Sequence, residues 1–241
     1  FLLLCEGPGD DEDLHAITWN VLRSVHGWLD GQDRDGGVHD WVESGPHEVD
    51  ATRKCFFFKW GHINLLCDRH GVPPVQRLGR GLGYRLAKRA LNLLLAMPDV
   101  DLVEGLRVVM VHDTDGTPGW SESLAVARDE WLADHHRAGR TEDIDVAVGA
   151  AHPEHEAWVI ALFEPRDGAE RARLEDVRRA LGVDPTRCPE ALTSGRETGP
   201  KDAKRTLDAL VGDDFERRRG IAQDASIETM LRRGRTCGLS A

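Results

Sequence analysis

Acidic side chains follow three apolar stretches of the sequence, at the point where each stretch ends. Glu6 and Asp10 follow the first stretch, Asp113 and Asp115 follow a central one, and Glu156 follows the last. Carboxylates that gather at one place repel each other unless a cation neutralises them. Because oxygen ligands with room for water and phosphate suit hard divalent ions, the pattern predicts a site for Mg²⁺ or Mn²⁺.

Helix capping is the alternative explanation for an acid at a strand-to-helix junction, because a carboxylate accepts hydrogen bonds from the first N–H groups of a helix. That alternative stays open for Asp10. Asp113 and Asp115, separated by one residue, directly follow a predicted buried strand. Two like charges so close together are costly, and this cost favours a functional interpretation of the pair. We interpret His112, beside them, as a residue that packs against or orients the ligands rather than a ligand itself.

These carboxylates can meet only if the elements before them form one sheet. Apolar runs predict strands at 1–5, 55–60, 106–112 and 144–150. The helical spacing of apolar residues predicts helices at 10–29, 80–97, 122–136 and 155–163. Strand and helix alternate, which indicates an α/β fold with a parallel sheet flanked by helices, and ligands bind at the carboxyl ends of such strands.

Two further segments complete the predicted organisation. Glycine, aspartate and histidine over residues 30–47 indicate a surface loop. Beyond Pro165 the sequence is charged, and helices are predicted at 169–181, 201–211 and 221–233. We therefore expect a domain over residues 1–165 with a surface insertion at about 30–72, and a helical C-terminal extension over 166–241 that packs on the same domain.

The composition limits the classes of protein. Among 241 residues, 31 lysines and arginines face 42 acids, so a formal charge of -11 gives no general attraction to nucleic acids or anionic membranes. The apolar runs are too short to span a membrane, which requires about 20 residues. Five dispersed cysteines form no C-x-x-C pair and argue against a disulfide framework or a zinc finger. We expect a soluble, cytoplasmic protein.

Three short motifs contain these acids, namely Cys5-Glu6-Gly7-Pro8-Gly9-Asp10, Val111-His112-Asp113-Thr114-Asp115-Gly116 and Glu154-His155-Glu156-Ala157-Trp158. Together they resemble the TOPRIM domain of topoisomerases, bacterial primases and OLD-family nucleases. The pattern is most similar to OLD-family nucleases and to small stand-alone TOPRIM-like proteins, and it covers residues 1–165. The resemblance implies a TOPRIM/Rossmann-like parallel sheet.

The resemblance also implies roles for single residues. Glu6 would act as a metal-linked acid or base, Asp113 and Asp115 would bind metal, and Asp10 and Glu156 would complete a two-metal arrangement. Lys201 would be a transition-state lysine. The implied activity is Mg²⁺- or Mn²⁺-dependent hydrolysis of DNA or RNA, with DNA as the first expectation, beside an ABC/OLD-type ATPase in anti-phage defence. A non-catalytic TOPRIM scaffold or sensing subunit is the alternative.

Two other patterns compete with this interpretation. Asp113-Thr114-Asp115-Gly116-Thr117 also resembles the first motif of haloacid-dehalogenase-like phosphatases, in which the first aspartate is the nucleophile. That family would also need a later lysine and an acidic metal-binding pair, for which Lys201 and the adjacent Asp213 and Asp214 could serve. A basic stretch could contact a nucleic-acid backbone or form a solvated helix face, and its residues are Arg77, Arg80, Arg85, Lys88 and Arg89.

Overall fold

The computed structural model describes residues 2–5, 56–76, 81–97, 106–114, 119–140, 143–194, 199–212 and 214–239, together with Leu14, Ile17, Thr18, Asn20 and Val21. The loop predicted at 30–47 lies outside these residues. Several candidate site residues also lie outside them, namely Glu6, Asp10, Asp115, Arg77 and Arg80.

Four strands form one sheet in the order β2-β1-β3-β4. They are β1 (Leu2–Cys5), β2 (Phe56–Lys59), β3 (Leu106–Asp113) and β4 (Ile144–Ala151). β1 runs parallel to both of its neighbours, with Leu3 opposite Phe57 on one side and Val109 on the other. The α/β class is therefore confirmed, and so is a strand at each of the four predicted places.

Helices account for the other regular segments of the described chain. Leu14, Ile17, Thr18, Asn20 and Val21 are helical and belong to α1. The later helices are α2 (Ile63–Arg69), α3 (Leu82–Ala96), α4 (Trp120–Arg137), α5 (His155–Leu162), α6 (Gly168–Leu181), α7 (Ala203–Val211), α8 (Phe215–Asp224) and α9 (Ile227–Arg233). Among the residues described, no helix has the length and apolar character needed to cross a membrane.

At the described residues, the predicted helices agree with the structure except at two places, and the bounds of the helix predicted at 10–29 lie outside these residues. The sequence pattern misses α2, and the single helix predicted at 221–233 is wrong because the structure has two helices there, α8 and α9. The break falls beside Ser226, whose hydroxyl accepts a hydrogen bond from the backbone N–H of Thr229 and so starts a new helix. The boundaries of α3 to α7 lie within two residues of the predictions.

The chain divides into two compact units. The first comprises residues 1–8, 33–112 and 118–149, and the second comprises residues 9–32, 113–117 and 150–241. The domain boundary predicted at residue 165 stays a prediction. Both β2 and α2 fall within the range predicted as an insertion.

In the first unit, α3 presents an apolar stripe that packs against α2 and α4. The buried residues of this stripe recur at helical spacing, namely Tyr84, Ala87, Leu91 and Leu94. The polar groups of buried aromatic residues are satisfied within the unit. Tyr84 donates to Glu130 Oε2 at 2.6 Å, and Trp131 Nε1 donates to Asn92 Oδ1 at 3.1 Å. The pairing of α3 with α4 is therefore both apolar and hydrogen-bonded.

In the second unit, α7, α8 and α9 pack against α5. All eight residues of α5 are buried, as expected for a helix that is covered on every side. Four helices of this unit begin with a side chain that accepts a hydrogen bond from the first turn: Asp167 for α6, Asp202 for α7, Asp214 for α8 and Ser226 for α9. These caps determine where each helix starts and hence which way its side chains point.

A turn at residues 234–239 packs against the segment that leads into α5. The carbonyl oxygen of Cys237 accepts hydrogen bonds from His152 N at 3.1 Å and from Trp158 Nε1 at 2.6 Å. Gly238 has a φ of +85°, and a Cβ there would lie 2.1 Å from the carbonyl oxygen of Ala150. Glycine is required at this position by both the backbone conformation and the close approach.

Replacing Gly83 with alanine should destabilise the protein, because the new Cβ would lie 1.7 Å from Trp120 Cε3. We expect a loss of about 1–3 kcal/mol in the free energy of unfolding, as for overpacked cores. Gly220→Ala in α8 is the control, since its Cβ would meet only Asp224 Oδ2 at 3.7 Å. The control should gain about 0.5–1 kcal/mol, because alanine is the better helix former. Urea unfolding measures both, and a stabilised Gly83→Ala variant would contradict this packing.

Candidate metal centre

Three buried side chains meet where β3 ends and α5 begins. Asp113 is the last residue of β3, and His155 and Glu156 are the first two residues of α5. Their relative exposures are 5%, 0% and 1% in that order. One potential ligand atom from each residue lies within 4.8 Å of the others. The structure therefore brings together two acids that the sequence analysis assigned to one site, and it adds a histidine.

His155 holds the Asp113 carboxylate through two contacts. Its backbone N–H donates to Asp113 Oδ1 at 2.9 Å, and its ring Nδ1 lies 3.3 Å from Asp113 Oδ2. First-turn N–H groups have no acceptor within their own helix, and the helix dipole favours an anion there. Glu154 occupies the N-cap position of α5 but makes no side-chain capping hydrogen bond. Asp113 thus caps α5 from a different element, which accounts for part of its burial.

Glu156 contacts the same ring nitrogen of His155 as Asp113 does. Its Oε2 is 3.3 Å from His155 Nδ1 and accepts no hydrogen bond from the described residues. Its Oε1 lies 3.5 Å from Arg218 Nη2 and 3.8 Å from Lys204 Nζ. Burial raises the pKa of Glu156, although the charges of His155, Lys204 and Arg218 oppose that shift. Capping does not explain this second buried acid.

Glu154 adds a third buried carboxylate, which the sequence analysis did not assign. It is 2% exposed, and its Oε1 accepts no hydrogen bond from any residue that the structure describes. Lys204 Nζ lies 3.8 Å from its other oxygen. Burial, followed by the charge of Glu156, raises the pKa of Glu154 to about 7. The cluster therefore contains buried carboxylate oxygens that accept no hydrogen bond from any described residue.

The donor set fits a divalent cation. A buried polar oxygen without a hydrogen bond is costly, and Glu154 Oε1 and Glu156 Oε2 are both of this kind. Carboxylate oxygens suit Mg²⁺ and Mn²⁺, and the imidazole of His155 favours a transition ion such as Mn²⁺. The signal for His155 in the sequence is its place beside Glu156 at a predicted helix start, directly after a predicted strand.

The lysine that approaches the carboxylates is Lys204, three residues after the predicted Lys201. Lys201 is exposed, and its backbone carbonyl accepts a hydrogen bond from Thr193 N at 2.8 Å. The catalytic role of Lys201 stays a prediction, as do the roles of the acids outside the described residues. The His112 ring packs against Trp120 with ring centroids 3.9 Å apart and planes tilted by 39°, in agreement with a packing role.

The predicted nucleic-acid ligands on α3 differ in their surroundings. Arg89 is 7% exposed, donates to Asn64 Oδ1 at 2.5 Å and pairs with Asp68, so it packs within the unit, and its predicted nucleic-acid contact stays a prediction. Lys88 pairs with Asp134 at 2.6 Å. Arg85 is exposed. Nucleic-acid binding by Arg85 and Lys88 stays a prediction.

Comparison with known proteins adds no assignment. No family model, no curated protein and no solved structure matches the chain. The chemistry of the centre must therefore be inferred from the described residues, and the TOPRIM resemblance stays a prediction.

Replacing Glu154 with glutamine should stabilise the metal-free protein above neutral pH. The pKa of Glu154 in the folded state, about 7, lies above its ordinary value of 4.5. Folding thus favours the protonated acid, and stability is lost as the pH rises from the lower value through the higher one. The neutral amide avoids this loss, so we expect a gain on the order of 2 kcal/mol at about pH 8 and little difference at about pH 4.5.

Urea unfolding in EDTA at both pH values measures this effect. Glu228→Gln is the control, because that glutamate side chain is 87% exposed, and it should shift the unfolding free energy by less than about 0.5 kcal/mol. The same pH dependence in Glu154→Gln and in the wild type would contradict a strongly buried carboxylate at this position.

Proposed function

We propose that this chain is a metal-dependent, TOPRIM-like nuclease that hydrolyses phosphodiester bonds of DNA or RNA, with a divalent cation held by Asp113, Glu156 and His155. The observation that carries the proposal is the convergence of these three ligand types in one buried cluster. Two of them were candidates from the sequence alone, because each follows a predicted strand.

The arrangement of the strands supports the TOPRIM-like, Rossmann-like form of the proposal. β1 and β3 are adjacent and parallel. Glu6 follows β1 directly in the sequence, and Asp113 is the last residue of β3. Parallel neighbours have their carboxyl ends at the same edge of a sheet, which is what a shared site for these acids requires. Glu6, Asp10 and Asp115 are further ligands in the proposal.

The residues of the cluster have separate tasks in this reaction. The backbone N–H of His155 orients Asp113, and Glu156 provides a second carboxylate, whose Oε2 lies 3.3 Å from His155 Nδ1. Burial of all three limits their contact with bulk water and thereby strengthens electrostatic interactions. The chemistry that a divalent cation supplies at such a site is the polarisation of phosphoryl oxygens and the acidification of water.

The partners of this activity follow from charge and from resemblance. A formal charge of -11 makes a general nucleic-acid attraction unfavourable, so a cation or a partner protein must help to hold the polyanion. The ABC/OLD-type ATPase partner and the anti-phage role rest on the OLD resemblance alone. The non-catalytic scaffold is the alternative if the cluster binds no cation.

The phosphatase alternative receives less support from the geometry. Asp214, one of the acids that it would need, caps α8 by accepting a hydrogen bond from Arg217 N at 2.8 Å. Glu156, next to Asp113 and His155, has no role in that chemistry. A phosphoaspartate analogue trapped on Asp113 would favour the phosphatase over the nuclease.

Replacing Asp113 with asparagine tests the nuclease proposal, because the amide oxygen can still cap α5 while the charge that binds a cation is lost. We expect Mn²⁺ affinity to fall at least tenfold and cleavage of DNA or RNA to fall by about 10²–10³-fold, as when an electrostatic group is removed from an active site. Calorimetry of Mn²⁺ binding and cleavage of labelled strands measure the two effects.

The matched control is Asp176→Asn, since the Asp176 side chain lies in α6 of the same unit and is 71% exposed. It should retain Mn²⁺ binding and activity. Circular dichroism establishes that both variants fold. If folded Asp113→Asn cleaves as fast as the wild type, the nuclease proposal is wrong.

A further inference from the structure

Two basic side chains converge on one oxygen of the candidate metal centre. Lys204 of α7 and Arg218 of α8 lie 3.8 and 3.5 Å from Glu156 Oε1. Their side chains are 53% and 22% exposed, whereas the Glu156 side chain is 2% exposed. Lys204 also lies 3.8 Å from Glu154 Oε2. The cluster therefore has a buried acidic side and a basic side that solvent reaches.

The fold positions both basic residues independently of Glu156. Lys204 is the second residue of α7, whose start is set by the Asp202 cap. Arg218 follows Arg217, whose Nε and Nη2 donate to the two oxygens of buried Glu170 at 2.9 and 3.1 Å. This buried ion pair anchors α8. Arg218 is therefore held near the cluster by the helix as well as by its own contact.

A divalent cation and the basic pair compete for the same carboxylate. Glu156 cannot give its full charge to a cation and also attract Lys204 and Arg218 as strongly as before. Once a cation neutralises Glu156, the two basic side chains can turn their donors to an anion from solvent. An ammonium with three donors and a planar guanidinium together suit the oxygens of a phosphate group.

We propose that Lys204 and Arg218 form an anion subsite for a phosphate group of the substrate, and that Glu156 occupies this subsite until a divalent cation binds. The inference rests on the proposed function for its cation, but the competition between Glu156 and phosphate needs no cation. Cation and phosphate bind with positive coupling, and each raises the affinity for the other by the same factor. Without a cation, Glu156 occupies the subsite, and phosphate binds weakly.

Charge compensation alone is the competing explanation. In that case, Lys204 and Arg218 offset the buried carboxylates and bind no ligand. Neutralising Glu156 would then leave phosphate binding as weak as in the wild type. The two explanations therefore differ in a binding measurement that does not depend on enzymatic activity.

Phosphate binding to Glu156→Gln in EDTA tests the competition directly. Inorganic phosphate is titrated into the full chain at low ionic strength, and binding is followed by the broadening of its phosphorus NMR line. We expect Glu156→Gln to bind phosphate at least about fivefold more tightly than the wild type, the lower end of typical coupling between sites. Adding Lys204→Met and Arg218→Met to Glu156→Gln should remove this gain.

A second arm of the experiment adds Mn²⁺ to the wild type. Electron paramagnetic resonance measures free Mn²⁺, and paramagnetic relaxation of the phosphorus signal reports phosphate near bound Mn²⁺. Mn²⁺ should tighten phosphate binding in the wild type, and Lys204→Met and Arg218→Met should each weaken it about tenfold. Arg205→Met is the control because Arg205 is exposed on the same helix as Lys204, and it should bind phosphate as the wild type does.

The outcomes separate the subsite from the proposed function. Unchanged phosphate binding in Glu156→Gln, or a gain that survives the loss of Lys204 and Arg218, overturns the subsite. If Mn²⁺ does not bind but Glu156→Gln gains phosphate affinity, the proposed function fails and the competition stands. Circular dichroism identifies any variant that does not fold, and Arg218→Lys, which shortens the donor reach but keeps the charge, then replaces Arg218→Met.

Discussion

The cost of burying three carboxyl groups is the main physical constraint on the second unit. Asp113, Glu154 and Glu156 are each at most 5% exposed. Removing an ionised group from water costs several kcal/mol, and nearby charges and hydrogen bonds offset that cost only in part. The start of α5 and the two basic residues of α7 and α8 provide this compensation. Selection for stability alone would favour neutral residues here, and this cost is part of the support for the proposed cation.

The sequence predicts the elements of the fold better than their mutual contacts. Apolar runs identify the strands, and helical spacing identifies α3 to α7, because both patterns are local. The same spacing hides the break between α8 and α9, since it continues past Ser226 while the cap is a single hydroxyl. Asp113 and Glu156 are predictable from their places after predicted strands. His155 and Glu154 have only their places beside Glu156 as a signal, and Lys204 has none, because tertiary packing brings α7 to the cluster.

Arginine shows why counts of charge do not identify a binding surface. Arg217 and Arg218 are adjacent in α8, yet about 100° separates successive residues on a helix. Arg217 is 5% exposed, binds Glu170 and lies 5.3 Å from the centre of the Phe163 ring. Arg218 instead faces Glu156. Arg89 was a candidate ligand from its basic neighbours, but the packing of α2 and α3 buries it. The position of an arginine around its helix axis therefore determines whether its side chain can contact a ligand.

Among the described residues, each unit contains one fully buried thiol, and its labelling can report the opening of that unit. Cys67 in the first unit and Cys237 in the second are fully buried, and burial raises the pKa of each thiol to about 11. Thiol reagents react with thiolates, so labelling requires the surrounding structure to open. Opening around Cys237 would also release the carbonyl that holds Trp158. Once the label is assigned to single residues, so that the half-buried Cys188 is distinguished, the labelling rates at Cys67 and Cys237 therefore report the opening free energies of the two units separately.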